Sequence, residues 1–194
     1  IIKLRPNVRF HDTDKIRKNF PQAAGRELTA EDVKFSIERQ TNRESPMSGL
    51  YYRMSQWETV ERMEVEDTYT LKIITKKPTA PFKHFLADSN AFIVAKELVG
   101  AGDQMNSPDN MVGTGPFMLD KLVPLSVVRC VRNPDWFAKD DLADQGLPDR
   151  PIIDGYETIW YPEDDTAIEL AFRSKQVDYT GFTDRANSPR VAAE

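Results

Sequence analysis

Leu28-Thr29-Ala30-Glu31-Asp32-Val33-Lys34-Phe35-Ser36 has the composition of a helix start. Thr29 is the expected N-cap, because its hydroxyl suits one of the backbone N–H groups that the first turn leaves without a partner. Glu31 and Asp32 place negative charge at the positive end of the helix dipole. Val33 and Ile37 lie four residues apart and predict one buried stripe, so the helix is expected from residue 30 to about residue 40. Downstream, residues 60–66 and 69–75 alternate as strands do. Met63 and Val65 form one row, and Tyr69, Leu71 and Ile73 form the other. Glu66-Asp67-Thr68 supplies the turn residues between them. A helix packed with a hairpin predicts a mixed α/β architecture.

The flanking sequence extends this pattern. Ile1 to Leu4 and Val8 to Phe10 read as extended pieces around Pro6, and residues 12–26 read as a long surface loop with Pro21 and Gly25. Ser45-Pro46-Met47-Ser48-Gly49 breaks the chain before the aromatic-rich run of Tyr51, Tyr52, Met54 and Trp57. Pro81 opens a short helix carrying Phe82, Phe85 and Leu86 at helical spacing. Ala91 to Val94 is an apolar strand candidate, and residues 99–111 are loop-like. A domain boundary is expected near Val112, giving a small α+β domain over 1–111 and a second piece over 112–194. In the second piece, residues 117–123 and 126–132 predict another hairpin, and Asn133-Pro134-Asp135-Trp136-Phe137 a turn with aromatic anchors. A strand over 155–162, a helix beginning near Glu163-Asp164-Asp165 and a strand over 177–182 read as a right-handed βαβ unit.

Composition excludes several functions. The 194 residues hold 26 Lys+Arg and 31 Asp+Glu, a net charge of -5, which argues against nucleic acid as a partner. No apolar run approaches the ~20 residues that cross a bilayer. The single cysteine, Cys130, can form no disulfide within the chain and reads as a small buried hydrophobe in a strand. The opening residues, Ile1 to Pro6, lack the apolar core of a signal peptide and look like the middle of a strand, as in a fragment of something longer.

The chemical motifs are sparse. Gly113-Thr114-Gly115-Pro116-Phe117 begins like a phosphate loop, but it has no Lys-Ser/Thr and Pro116 leads into a strand. Two histidines, His11 and His84, and one cysteine offer no metal-ligand spacing. Asp140, Asp141, Asp144 and Asp149 do not follow the calcium-loop pattern and suit a solvated loop. No nucleophile elbow is present, so no catalytic residue, metal or cofactor is expected.

Six segments, taken in order, resemble one family. They are Leu4 to Asp12 (LRPNVRFHD), Leu28 to Ser36 (LTAEDVKFS), Val65 to Leu71 (VEDTYTL), Val112 to Phe117 (VGTGPF), Arg132 to Phe137 (RNPDWF) and Ala171 to Asp178 (AFRSKQVD). In this order they are similar to the motifs of the extracellular solute-binding proteins of the dipeptide, oligopeptide and nickel type. Asn7, Thr13 and Lys175 stand where glycine is usual, and the loop before Leu28 is longer than usual.

The resemblance implies a partial type II periplasmic-binding-protein-like α/β fold, with the small extra domain and part of the first cleft-forming lobe. It implies a receptor, periplasmic or at the cell surface, that delivers a peptide or other small-molecule ligand to the membrane permease of an ABC transporter. An enzyme or a structural module on the same fold is the alternative. A monomer is expected. The resemblance also implies ligand contacts from two places. One is the turn Asp88-Ser89-Asn90 after Pro81 to Ala87, and the other is the run Met54 to Trp57, with Ser55 and Trp57 as candidates. Asn90 and Ser89 equally suit a plain helix cap and turn.

Overall fold

The computed structural model describes residues 1–100, 103, 105, 107–141, 143–161 and 165–180, without the side chains of residues 144 and 165. The first elements are β1 (Ile2–Lys3), α1 (Asp14–Asn19), α2 (Ala30–Thr41), α3 (Met54–Trp57), β2 (Val60–Asp67), β3 (Thr70–Thr75) and α4 (Phe82–Leu86). They are followed by β4 (Phe117–Val123), β5 (Val127–Arg132), β6 (Gly155–Ile159) and α5 (Asp165–Arg173). The chain divides into two compact units, residues 1–119 with 131–154, and residues 120–130 with 155 onward.

In the first unit, α2 and the β2–β3 hairpin form as their patterns predict. β3 is the middle strand, with β1 and β2 antiparallel on its two sides. Val65 pairs with Leu71 and Met63 with Ile73, so the alternating rows meet. The turn sits one residue later than expected, at Thr68-Tyr69, because the Asp67 carboxylate accepts the Tyr69 N–H at 2.8 Å. Its tip is tied to the helix: the Ala30 N–H donates to the Thr68 carbonyl at 2.8 Å. Asp32 reaches back to the Thr29 N–H at 2.9 Å, and the Thr29 hydroxyl donates to the same carboxylate at 3.2 Å. Asp32 is also held by Arg26, whose guanidinium bridges it at 2.6 Å to Glu97 at 2.7 Å. Trp57, Phe10, Leu71 and Leu98 are the largest apolar side chains fully enclosed in the core.

Two expectations for this unit are corrected. The loop expected over 12–26 contains α1, capped by the Thr13 hydroxyl on the Ile16 N–H at 3.3 Å. The helix buries one residue, Ile16, so no apolar stripe announces it. Residues 91–94 are not a strand. The Val94 N–H donates to the Ser36 hydroxyl at 3.0 Å, and this side chain serves Val94 in place of a strand neighbour.

Two polar clusters close the unit. Asp103, which has a positive φ, accepts from Arg39, the Ser45 hydroxyl and the Tyr51 hydroxyl, and Arg39 also stacks 5.4 Å from the Tyr51 ring centre. Burial works against the Asp103 carboxylate, but the bonds from Ser45, Tyr51 and Arg39 outweigh it and hold its pKa below the ordinary value. The second cluster gathers His11, Gly113, Gly115 and Asn133, which stand far apart in sequence.

The second unit holds residues 120–123 of β4, 127–130 of β5 and all of β6, in a sheet of order β4-β5-β6. β4 and β5 form the expected hairpin, since a link this short excludes a parallel crossover. β6 runs antiparallel to β5, because Arg132 bonds to Asp154 at one end and Trp160 to Ser126 at the other. The strand expected over 155–162 stops at Ile159, and α5 follows with Ile168 and Ala171 buried. Residues 177–180 form no strand, and residues 181 and 182 of that expectation lie outside the described residues.

Candidate functional site

The two segments singled out by sequence come together in the first unit. α3 turns Trp57 inward to 1% exposure, and its indole N–H donates to Gln40 Oε1 at 3.0 Å. Its ring meets Phe82 of α4 edge-on at 6.3 Å, and Phe82 meets Phe85 in the same way at 6.2 Å. These aromatic contacts bring α4 against α3. Trp57, a ligand-contact candidate from sequence, is thus enclosed and bonded to Gln40. Ser55 is exposed on α3.

α4 ends at Leu86, and the chain turns through Asp88, Ser89 and Asn90. One Asp88 oxygen accepts the Asn90 N–H at 2.8 Å and the Asn90 side-chain amide at 2.9 Å. The other accepts Arg53 Nε at 3.0 Å, from the residue just before α3. The Ala91 N–H closes the turn on the Asp88 carbonyl at 2.9 Å. The bonds from the Asn90 backbone and side chain, followed by the charge of Arg53, hold the Asp88 carboxyl below its usual range. Asp88 is thus the organiser of this turn, and Ser89 lies exposed at its centre. The partner sequence reasoning missed is Arg53. A lone arginine in a polar run carries no signal that would single it out.

The turn links Leu86 to Ala91, and both line an apolar groove of about 210 Å³. Val33, Ile37, Trp57 and Phe92 line it as well. Its polar lining residues, Ser36 and Gln40, are engaged internally, with Asp32 and Val94 for the first and Trp57 for the second. Sites that enclose a whole small molecule run to ~300–1,000 Å³. This groove is smaller than that, and the residues that flank the turn, Leu86 and Ala91, are part of its lining. Among the described residues no three His, Cys, Asp or Glu side chains converge on a common point.

The family profile described as bacterial extracellular solute-binding proteins, family 5 middle, matches residues 1–194. The chain belongs to this family of solute-binding proteins. It is 32% identical over 148 residues to di/tripeptide-binding protein 2 of Pseudomonas aeruginosa, covering 70% of this chain and 26% of that protein. It is 33% identical over 137 residues to the dipeptide-binding protein of Escherichia coli, covering 65% of this chain and 24% of that one. Among solved structures, it superposes with a TM-score of 0.69 on the ABC transporter-associated periplasmic binding protein DppA from Helicobacter pylori, solved in complex with the peptide STSA. The identity there is 26%, over 90% of this chain and 33% of that one. The fold is therefore a partial type II periplasmic-binding-protein fold, and the chain spans about a quarter of the length of the curated relatives it matches.

Proposed function

We propose that this chain is part of a receptor that captures a peptide-like solute outside the cytoplasm and delivers it to the permease of an ABC importer. The observation that carries the proposal is the apolar groove of about 210 Å³ whose lining includes Leu86 and Ala91, the residues that flank the Asp88-Ser89-Asn90 turn. The groove offers an apolar lining and the turn offers amide and hydroxyl groups, the two kinds of surface that a short peptide presents. The named curated relatives are binding proteins for dipeptides and tripeptides, which supports the same class of ligand. In this reading residues 1–111 belong to the small domain and residues 112–194 to the first lobe, and the solute is enclosed when a second lobe closes over it. Asn90 and Ser89 supply the hydrogen bonds, Asp88 and Arg53 fix the turn, and the receptor acts as a monomer without a cofactor.

The test is calorimetric titration of the full-length protein with dipeptides and tripeptides, followed by mass spectrometry of what is released. Saturable binding with unaltered peptide recovered is the expected result. Cleaved or modified peptide would instead indicate an enzyme on this fold. Asn90→Ala should weaken peptide binding about fivefold or more, the scale of one lost hydrogen bond of ~1 kcal/mol, with the melting temperature nearly unchanged. If stability falls as far as affinity, the Asn90 side chain serves only the turn. The 194-residue chain alone should bind weakly, since tight sites bury ~70–90% of a ligand and this groove is smaller than a site that encloses a whole small molecule.

A further inference from the structure

His11 and Asn133 are buried polar residues, each 6% exposed, and both are bonded to one short strap, Gly113 to Pro116. The His11 N–H donates to the Gly113 carbonyl at 2.8 Å, and the Gly113 N–H returns to His11 Nδ1 at 3.3 Å. Because Nδ1 accepts, the proton of the neutral ring is on Nε2, which lies 3.0 Å from the Gly115 carbonyl. That same carbonyl accepts the Asn133 side-chain amide at 3.1 Å, and the Asn133 N–H donates to the Pro116 carbonyl at 2.8 Å. Three segments noted separately in the sequence, around His11, Gly113 and Asn133, thus meet in one knot.

We propose that His11 is a pH-responsive clasp, which as a neutral imidazole fixes the strap at Gly113 to Gly115 and on protonation lets it go. The imidazolium carries an N–H on both nitrogens, so Nδ1–H would face the Gly113 N–H, donor against donor. A counter-ion would offset this, but the described charges near the ring are committed elsewhere. Lys15 and Asp109, which share a cavity with the ring, pair with each other at 3.0 Å. Asp12 pairs with Arg17 at 2.8 Å, and Arg9 donates to the Gly25 carbonyl at 2.9 Å. Among the described residues, Asp135 forms no ion pair with the ring. Burial pushes the His11 pKa below its ordinary 6.5, outweighing the bond to Gly115 that favours the charged form. The sign follows. An opened strap exposes a ring that takes a proton near 6.5, and the closed strap takes one only at lower pH, so opening becomes easier as pH falls through that interval. His11 and Asn133 are positioning residues here and need no contact with solute.

The experiment is amide hydrogen exchange in the full-length protein, with protection corrected for intrinsic rates. It compares about pH 7.5 with about pH 5, either side of the usual histidine range. The Gly113 amide should lose severalfold of its protection at the lower pH. His11→Gln presents an acceptor and a donor that do not titrate, so its Gly113 protection should be the same at both values. Spectra of 15N-labelled histidine should show Nε2–H, with Nδ1 unprotonated, at the higher pH. Equal Gly113 protection at both values in the wild type overturns the proposal, as does a wild-type-like loss in His11→Gln. Neither readout involves a ligand, so this proposal stands or falls apart from the receptor reading.

Discussion

In the first unit Trp57, Phe10, Leu71 and Leu98 are enclosed, whereas in the second the described buried apolar residues are Ile168 and Ala171. Tyr156, Ile159, Trp160, Leu170 and Tyr179 of the second unit lie on the surface of this chain. Both units have amphipathic elements, so periodicity alone does not explain the contrast. The first unit is closed by ties between residues distant in sequence, such as Ala30 with Thr68 and Arg26 with Glu97. The second is joined along a strand ladder, with Arg129 on Glu157 across it, and by Arg173 and Glu169 one helical turn apart. At ~25 cal/mol per Å² of apolar surface buried, the aromatics of the second unit contribute little to its stability within this chain. A pattern that forms an element need not enclose it.

The sharpest way to break this comparison is to truncate one tryptophan from each unit. Trp57→Ala should cost about 3–5 kcal/mol in urea denaturation followed by circular dichroism, through cavity formation and the stranded Gln40 carbonyl. Trp160→Ala should stay within about 0.5 kcal/mol, as exposed substitutions do. Equal costs would mean that the second unit is as closed as the first.

Ion pairs give a smaller contrast of the same kind. Arg26→Ala leaves the buried Asp32 carboxylate without its cation and should cost about 2–3 kcal/mol, below the full value for a buried pair because Arg26 keeps some solvent contact. Arg129→Ala removes an exposed cross-strand pair and should cost less than about 1 kcal/mol. The two values from the same denaturation assay would rank the units independently of the tryptophans.

The smallest effect concerns acid. The folded Asp103 carboxyl titrates below its ordinary value, so its stabilisation is present above that value and is lost as pH falls through the folded pKa. Asp103→Asn should therefore flatten the acid limb of the stability profile in the first unit. An unchanged limb in that variant would place the acid sensitivity elsewhere.

The first unit was also the more legible in sequence. Residues 30–40 and 60–75 announced themselves because each row of apolar residues faces one side. α1 did not, since Ile16 alone among charged neighbours makes no stripe. The strand expected at 91–94 misled because an apolar run does not reveal that the Ser36 hydroxyl will take up the Val94 backbone. For the site, the segments at 54–57 and 88–90 were visible as a pair, but Arg53, whose bond to Asp88 ties the turn to the residue before α3, was not. Nor does sequence say whether a tryptophan faces a ligand or a core. The His11, Gly115 and Asn133 segments were each noted, but their convergence depends on contacts across about a hundred residues.

β2 has a consequence of another kind. In the order β1-β3-β2 it is an outer strand of its sheet, and outer strands invite another chain to add on and begin aggregation. Glu61, Arg62, Glu64, Glu66 and Asp67 crowd charge along it. A second copy pairing edge to edge would bring mostly acidic side chains beside one another, which is destabilising. The strand that shapes the hairpin is therefore also a barrier against self-assembly, and replacing Glu64 with valine would lower it by taking charge off the strand and joining Met63 and Val65 into one apolar run.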